Sequence, residues 1–276
     1  MKSFAKSKIR LKSRRGSSSP RARGGSLSIS KIKKNATVPK RYEAQADIGF
    51  ITKSEAEQLF QKVFRNSKNA HPQPVAILTA GVSGAGKSST LASCLNELQM
   101  KLDQFIVHDP DFLFTESLCY RQASDVMDRE KCQPGAGDLN KQFMSYSMQA
   151  GLNFILDGTG KNNKYYTSLI RILRSMNYRV IMIATHIELE TALARVQSRF
   201  KTTGRLVPEN VVRNIYAGFL QSLPIYAKNQ DLNGMYIYDN NGAYARLMWK
   251  RNIDGTSCCS VSSQKFNFEL PCSRNC

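Results

Sequence analysis

The sequence predicts an α/β fold in three layers, a parallel five-stranded sheet with helices on both faces, preceded by a basic N-terminal arm. Three observations lead there. Five short apolar runs alternate with helical patterns between residues 75 and 238, a glycine-rich loop joins the first run to the first helix, and acidic residues follow the second and third runs. In such a sheet ligands bind beyond the carboxyl ends of the strands, so the loops after the runs are where chemistry is sought.

Ahead of the first run, Ser54 and Glu57 form a capping box, and Ala56, Leu59, Phe60, Val63 and Phe64 an apolar stripe. A helix packing beside the core is predicted. Residues 67–74, with two prolines, read as a connector. Residues 75–79 then read as a buried strand, followed by a helix that places Leu91, Cys94, Leu95 and Leu98 on one face. Further strands are predicted at residues 105–107, 154–156, 180–184 and 235–238, and helices at about 139–150, 167–176, 188–200 and 209–226. The stretch Q-P-G-A-G-D at 133–138 reads as a turn, because it lacks the lysine and the strand of a second phosphate site.

Between the first strand and helix, Gly81, Gly86, Lys87 and Ser88 satisfy G-x-x-x-x-G-K-[ST], the phosphate loop of P-loop NTPases. Glycines let the backbone close into a nest whose N–H groups face phosphate oxygens, and the following helix adds its positive end. Gly81, Val82, Ser83, Gly84, Ala85, Gly86, Lys87, Ser88 and Ser89 are the expected nucleotide-binding residues. Lys87 supplies charge to the β- and γ-phosphates, and the Ser88 hydroxyl is a ligand for Mg²⁺. ATP and Mg²⁺ are therefore the expected cofactors.

The other loops at that edge carry acids. Asp157 ends the apolar F-I-L-D and is the expected Mg²⁺ partner of Ser88. Asp109 and Asp111 follow the second strand around Pro110. Transfer to a hydroxyl gains from a carboxylate that accepts its proton, and Asp111 is assigned that role with Asp109 as its neighbour. Arg195, Arg199 and Arg205 lie on or just after a helix, the first two on one face, as suits a lid that neutralises a transferring phosphoryl group. His108 and His186, at strand ends, read as structural histidines.

The ordered set G-V-S-G-A-G-K-S, H-D-P-D-F, I-L-D-G-T-G-K-N, A-L-A-R-V-Q-S-R and G-R-L-V-P-E resembles the zeta-toxin family of phosphoryl-transferring P-loop proteins over residues 75–238. That resemblance implies an ATP-dependent kinase, with characterised bacterial members phosphorylating a UDP-amino sugar. It places Lys87 and Ser88 in the phosphate loop, Asp111 as the catalytic aspartate, Thr159 as the threonine of a Gly-Thr pair, and Arg199 and Arg205 as the lid arginines. The chain departs from the family in carrying Asp157 where the toxins usually have a glutamate, and in the short spacing of its lid arginines.

Composition frames these readings. The 41% hydrophobic content is ample for one substantial core. The net charge of +19 is uneven: the first 41 residues hold fourteen Lys or Arg and no acid, leaving 26 basic against 21 acidic residues, a net of +5, in the remainder. Residues 1–45 are read as a disordered arm, 46–245 as the kinase domain and 246–276 as a weakly structured Cys/Ser-rich tail. The arm has four open readings: a binder of nucleic acid or an anionic surface, a nuclear address, an organelle-import segment, or a solubilising tail. No apolar run approaches the roughly 18 residues of a membrane span. The seven cysteines are odd in number, with Cys94, Cys119 and Cys132 scattered, which predicts a reduced, intracellular protein, cytoplasmic or nuclear. Cys258, Cys259, Cys272 and Cys276 lack zinc-site spacing.

The expected function is transfer of the γ-phosphoryl group of ATP to a hydroxyl-bearing small molecule. A polynucleotide 5′-hydroxyl kinase, or a nucleic-acid-binding protein with a vestigial P-loop domain, is the alternative that the basic arm raises. A guanine-nucleotide switch finds D-x-x-G at residues 157–160 but no N-K-x-D after the fourth strand.

Overall fold

The computed structural model describes residues 43–44, 46–65, 71–252, 254–259, 270 and 274–275; residues 1–42 of the basic arm, Cys272 and Cys276 lie outside them. In chain order the elements are α1 (Lys53–Phe64), β1 (Val75–Ala80), α2 (Lys87–Glu97), a 3-10 turn (Leu102–Gln104), β2 (Ile106–His108), α3 (Pro110–Glu116), α4 (Leu118–Gln122), α5 (Val126–Lys131), α6 (Gln133–Ala150), β3 (Phe154–Leu156), α7 (Asn163–Ser175), β4 (Arg179–His186), α8 (Leu189–Thr203), α9 (Glu209–Ala227), β5 (Gly234–Asp239), β6 (Arg246–Arg251), β7 (Ser257–Cys259) and β8 (Arg274–Asn275).

The five predicted strands are all present and mutually parallel, in the order β2-β3-β1-β4-β5. Burial on both faces explains their continuous apolar runs. Ala76, Leu78, Ala80, Val180, Met182 and Ala184 point into the larger core cluster, while the alternate residues Ile77, Ile181 and Ile183 point into the one beneath α2. Because β1 lies between β3 and β4, the loops after β1, β2 and β3 converge at one edge.

The sheet does not stop at five strands. It continues as β6, antiparallel to β5, β7, antiparallel to β6, and β8, parallel to β7, so it is an eight-stranded mixed sheet instead of a purely parallel five-stranded one. These strands occupy the region read as a weakly structured tail. Met248 and Trp249 of β6 are fully buried, and Arg251, also buried, donates to the carbonyls of Ala227, the last residue of α9, and of Asn229 and Leu232 just past it. The arginine thus satisfies acceptors that a helix end leaves open.

Three local corrections follow. Helix α1 is capped by Thr52, whose hydroxyl accepts from the Glu55 amide, two residues ahead of the predicted Ser54 box. The carboxylate of Glu55 instead accepts from the Leu118 amide at the start of α4. Residues 133–138 are the first turns of α6, not a turn: Pro134 sits where a helix has no amide to lose, and Gly135 packs against the Ile48 carbonyl, where a Cβ would come within 2.7 Å. Finally, Cys119 and Cys132 form a disulfide, and Cys258 and Cys259 are disulfide-bonded as well, against the expectation of reduced thiols. Among the cysteines described, Cys94 is free.

Candidate active site

The phosphate loop follows β1 in the predicted setting. Gly84 and Gly86 have φ of +82° and +81°, values that favour glycine, and both are hemmed in. A Cβ on Gly84 would lie 2.7 Å from the Ala192 carbonyl of α8, and one on Gly86 would strike the Asn240 side chain. Asn240 in turn donates to the Ala85 carbonyl at 2.7 Å. The Gly81 amide is taken by the Thr159 carbonyl and the Ala85 amide by Val82, while Val82 and Ala85 bury their side chains against α8 and α9. Among the described residues the amides of Ser83, Gly84, Gly86, Lys87 and Ser88 have no protein acceptor, as an anion-binding nest requires. Ser88 and Ser89 are exposed at the first turn of α2.

Lys87 donates to the Gly81 carbonyl at 3.4 Å, and its Nζ lies 3.9 Å from Asp157 Oδ1. That carboxylate is fixed by a residue the sequence did not single out. The Thr79 hydroxyl, buried at the end of β1, donates to Asp157 Oδ1 at 2.8 Å and accepts from the Gly158 amide at 3.1 Å. The Tyr166 hydroxyl beneath Gly158 donates to the Thr79 carbonyl.

Asp109 follows β2 and caps α3, its carboxylate accepting from the Asp111 amide at 2.8 Å. Burial, then the charges of Asp157 and Asp111, push its pKa up from 3.8 to about 6. Asp111, in the first turn of α3, pairs with Arg205 at 2.6 Å. Arg205 belongs to the connector between α8 and α9, so this pair draws the connector across the site. Arg199 is half-buried with its Nε lacking a partner, and burial followed by the Arg205 charge lowers its pKa. Arg195 shares the helix but not the task, donating to the Asn240 carbonyl beside the phosphate loop.

Lys87, Asp109, Asp111, Asp157, Thr159 and Arg205 line one cavity of about 340 Å³. Its far wall carries Tyr120, Val126, Arg129 and Glu130, which the sequence offered no motif to find, and Gln133, which opens the glycine-rich stretch at 133–138. A second cavity, about 410 Å³, opens on the other side of the phosphate loop between Gly84, Gly86, Ser89, Arg195, Asn240 and Tyr244. His108 is a buried structural residue: its Nε2 meets the Ser147 hydroxyl at 2.9 Å, and desolvation lowers its pKa to about 3. His186 is likewise buried.

The fold has solved counterparts. The toxin-antitoxin structure from the PezAT system of Streptococcus pneumoniae is 19% identical over 74% of this chain and 83% of that one, with a TM-score of 0.58. The AvrRxo1-ORF1:-ORF2 structure with ATP is 14% identical over 78% and 73% of the respective chains, at a TM-score of 0.60. At such identities the likeness is one of fold. A search of curated proteins finds no match. The zeta toxin family model, however, matches residues 58–252, a span that takes in the phosphate loop, all three aspartates, Thr159 and the arginine lid. The chain is a member of the zeta toxin family, built on the P-loop kinase fold.

Proposed function

We propose that the chain is an ATP-dependent kinase that transfers the γ-phosphoryl group to a hydroxyl of a UDP-amino sugar or another nucleotide-linked small molecule. The observation that carries this is the single cavity in which Lys87, the carboxylates of Asp109, Asp111 and Asp157, and Arg205 meet. The two cavities on opposite sides of the phosphate loop divide the work. The nucleoside of ATP occupies the side of Arg195, Asn240 and Tyr244, its phosphates cross the nest, and the acceptor lies on the aspartate side.

Lys87 and the loop amides hold the phosphates in this reading, Thr159 lines the acceptor side, and Asp111 receives the acceptor's proton. The Asp111 carboxylate is occupied by its pair with Arg205. An incoming γ-phosphate competes for the guanidinium, so Arg205 moves its charge to the transferring group as Asp111 is released to act. Arg199, with an unpartnered Nε beside them, adds a second positive group. The raised pKa of Asp109 favours a second reading in which Asp109 is the base.

The residues suit Mg²⁺. Burial first, and then the charges of Asp157 and Asp111, disfavour ionisation of Asp109, and a hard cation at this edge would relieve the repulsion among the three carboxylates. Ser88 and Asp157 would hold the ion. When bound, Mg²⁺ would neutralise phosphate charge during transfer.

Labelled ATP offered with UDP-N-acetylglucosamine, nucleosides and 5′-hydroxyl oligonucleotides, with and without residues 1–41, tests the acceptor. Transfer to the UDP-sugar is expected. Transfer confined to oligonucleotides and dependent on the arm would replace this reading with the polynucleotide-kinase one, and salt-sensitive nucleic-acid binding without transfer would support a vestigial domain. Lys87→Ala and Asp111→Asn are each expected to lower the rate by at least ~100-fold. A wild-type rate in Asp111→Asn with loss in Asp109→Asn would move the base to Asp109.

A further inference from the structure

The far wall of the acceptor cavity is built unlike the rest of the site. Helices α4 and α5 are only five and six residues long and contain no buried residue. The hydrogen bonds made by residues 121–131 all stay within the segment 117–132, among them Ser124 to Asp128, Lys131 to Asp128 and the Asp125 cap of α5. Ties to the body come at the ends: the Leu118 amide to Glu55, the Tyr120 ring 4.7 Å from Phe114, and Cys132, 1% exposed, in the main core. Between them Arg129 is held over the Tyr120 ring at 5.0 Å, with its Nε buried and unpartnered. The Cys119–Cys132 disulfide, closing a sequence separation of 13, joins the two ends of this wall.

We propose that this disulfide is a redox-controlled clasp on the acceptor wall. Closed, it holds Tyr120, Val126, Arg129 and Glu130 against the cavity. Opened by a dithiol, it releases residues 121–131 and weakens acceptor binding, while the nucleotide loop, which shares no hydrogen bond with this segment, keeps its order. The step balances without another co-reactant. A thiolate of the dithiol attacks Cys119 Sγ, the half-buried partner, and Cys132 leaves as a thiolate that takes up a proton. The second thiol then displaces Cys119, which is also protonated, so the protein gains two electrons and two protons and the dithiol becomes a disulfide.

The proposal rests on reading that cavity as the acceptor site, and its test separates the two. Non-reducing peptide mapping of the full chain is expected to recover Cys119 linked to Cys132; free thiols there after aerobic purification would overturn the proposal. Hydrogen exchange with and without dithiothreitol should show at least tenfold faster exchange across residues 118–131 on reduction, with β1 and α2 unchanged. Cys119→Ser/Cys132→Ser should exchange fast in both conditions, and Cys258→Ser/Cys259→Ser should respond as wild type. Equal exchange in both redox states, or loss of the response in the latter variant, would overturn it. With labelled ATP, reduction should raise the KM for UDP-N-acetylglucosamine severalfold and leave the ATP KM unchanged. Absence of transfer in both redox states would sink the acceptor reading, while the exchange data would still decide the clasp.

Discussion

Asp109 carries the largest electrostatic cost of the site. A carboxyl whose pKa rises from 3.8 to about 6 on folding binds its proton more tightly in the native state, so native stability is lost as pH rises through that window. Above pH 6 the buried charge costs on the order of 2 kcal/mol. Asn keeps the capping oxygen for the Asp111 amide and removes the charge, so Asp109→Asn is expected to raise Tm at pH 7.5. The gain should shrink toward zero near pH 4, where the wild-type carboxyl is neutral, which calorimetry across pH will show. A gain independent of pH would mean the charge is not its source. That Lys87, Asp111, Asp157 and Arg205 line one cavity was legible because each sits at a fixed offset from a glycine or a strand end. Thr79, Tyr166 and Asn240 were not, since a threonine in a strand or a tyrosine in a helix carries no sign of the carboxylate or carbonyl it will meet from 78, 87 or 155 residues away.

The phosphate loop and α8 form one unit. The Ala192 carbonyl sits where a Cβ of Gly84 would be, so α8, and with it Arg195 and Arg199, is seated directly on the loop. Gly84→Ala combines that clash with a positive φ and is expected to cost ~2 kcal/mol or more and to lift the arginine helix off the nucleotide. Weaker ATP binding in titration calorimetry, with the sheet intact by circular dichroism, is the outcome to look for. Strands and long helices announced themselves by period, whereas α3, α4 and α5 did not. Pieces of five to seven residues are too short for a hydrophobic period, and they are specified by caps at Asp109, Ser117 and Asp125 and by the disulfide. Closing a loop of this size is worth ~3 kcal/mol in the unfolded chain, enough to replace a missing apolar face. The start of α6 was hidden because Pro134 and Gly135 spell a turn locally, and only packing against Ile48 overrides them.

Across the whole molecule, the five parallel strands set the catalytic edge and the strands that follow cover the open side of β5. Sequence reading ended the domain at residue 245 because R-L-M-W-K-R, with three basic residues in six, lacks the apolar run of the central strands. An outer strand needs only Met248 and Trp249 inward, and Arg251 is buried by serving carbonyls at and beyond the end of α9, which no pattern of hydrophobicity encodes. Truncation after residue 245 is therefore expected to yield insoluble protein, and Trp249→Ala to lose ~3–5 kcal/mol in urea melts. A soluble, cooperatively folding truncation would show that the outer strands are dispensable.

Trp249 is also the lone tryptophan of the chain and is fully shielded from solvent. Its intrinsic fluorescence is thus a built-in gauge of the outer strands: blue-shifted when β6 is docked and red-shifted when the sheet opens. Emission from this one indole separates variants that have lost their catalytic chemistry from those that have lost their fold.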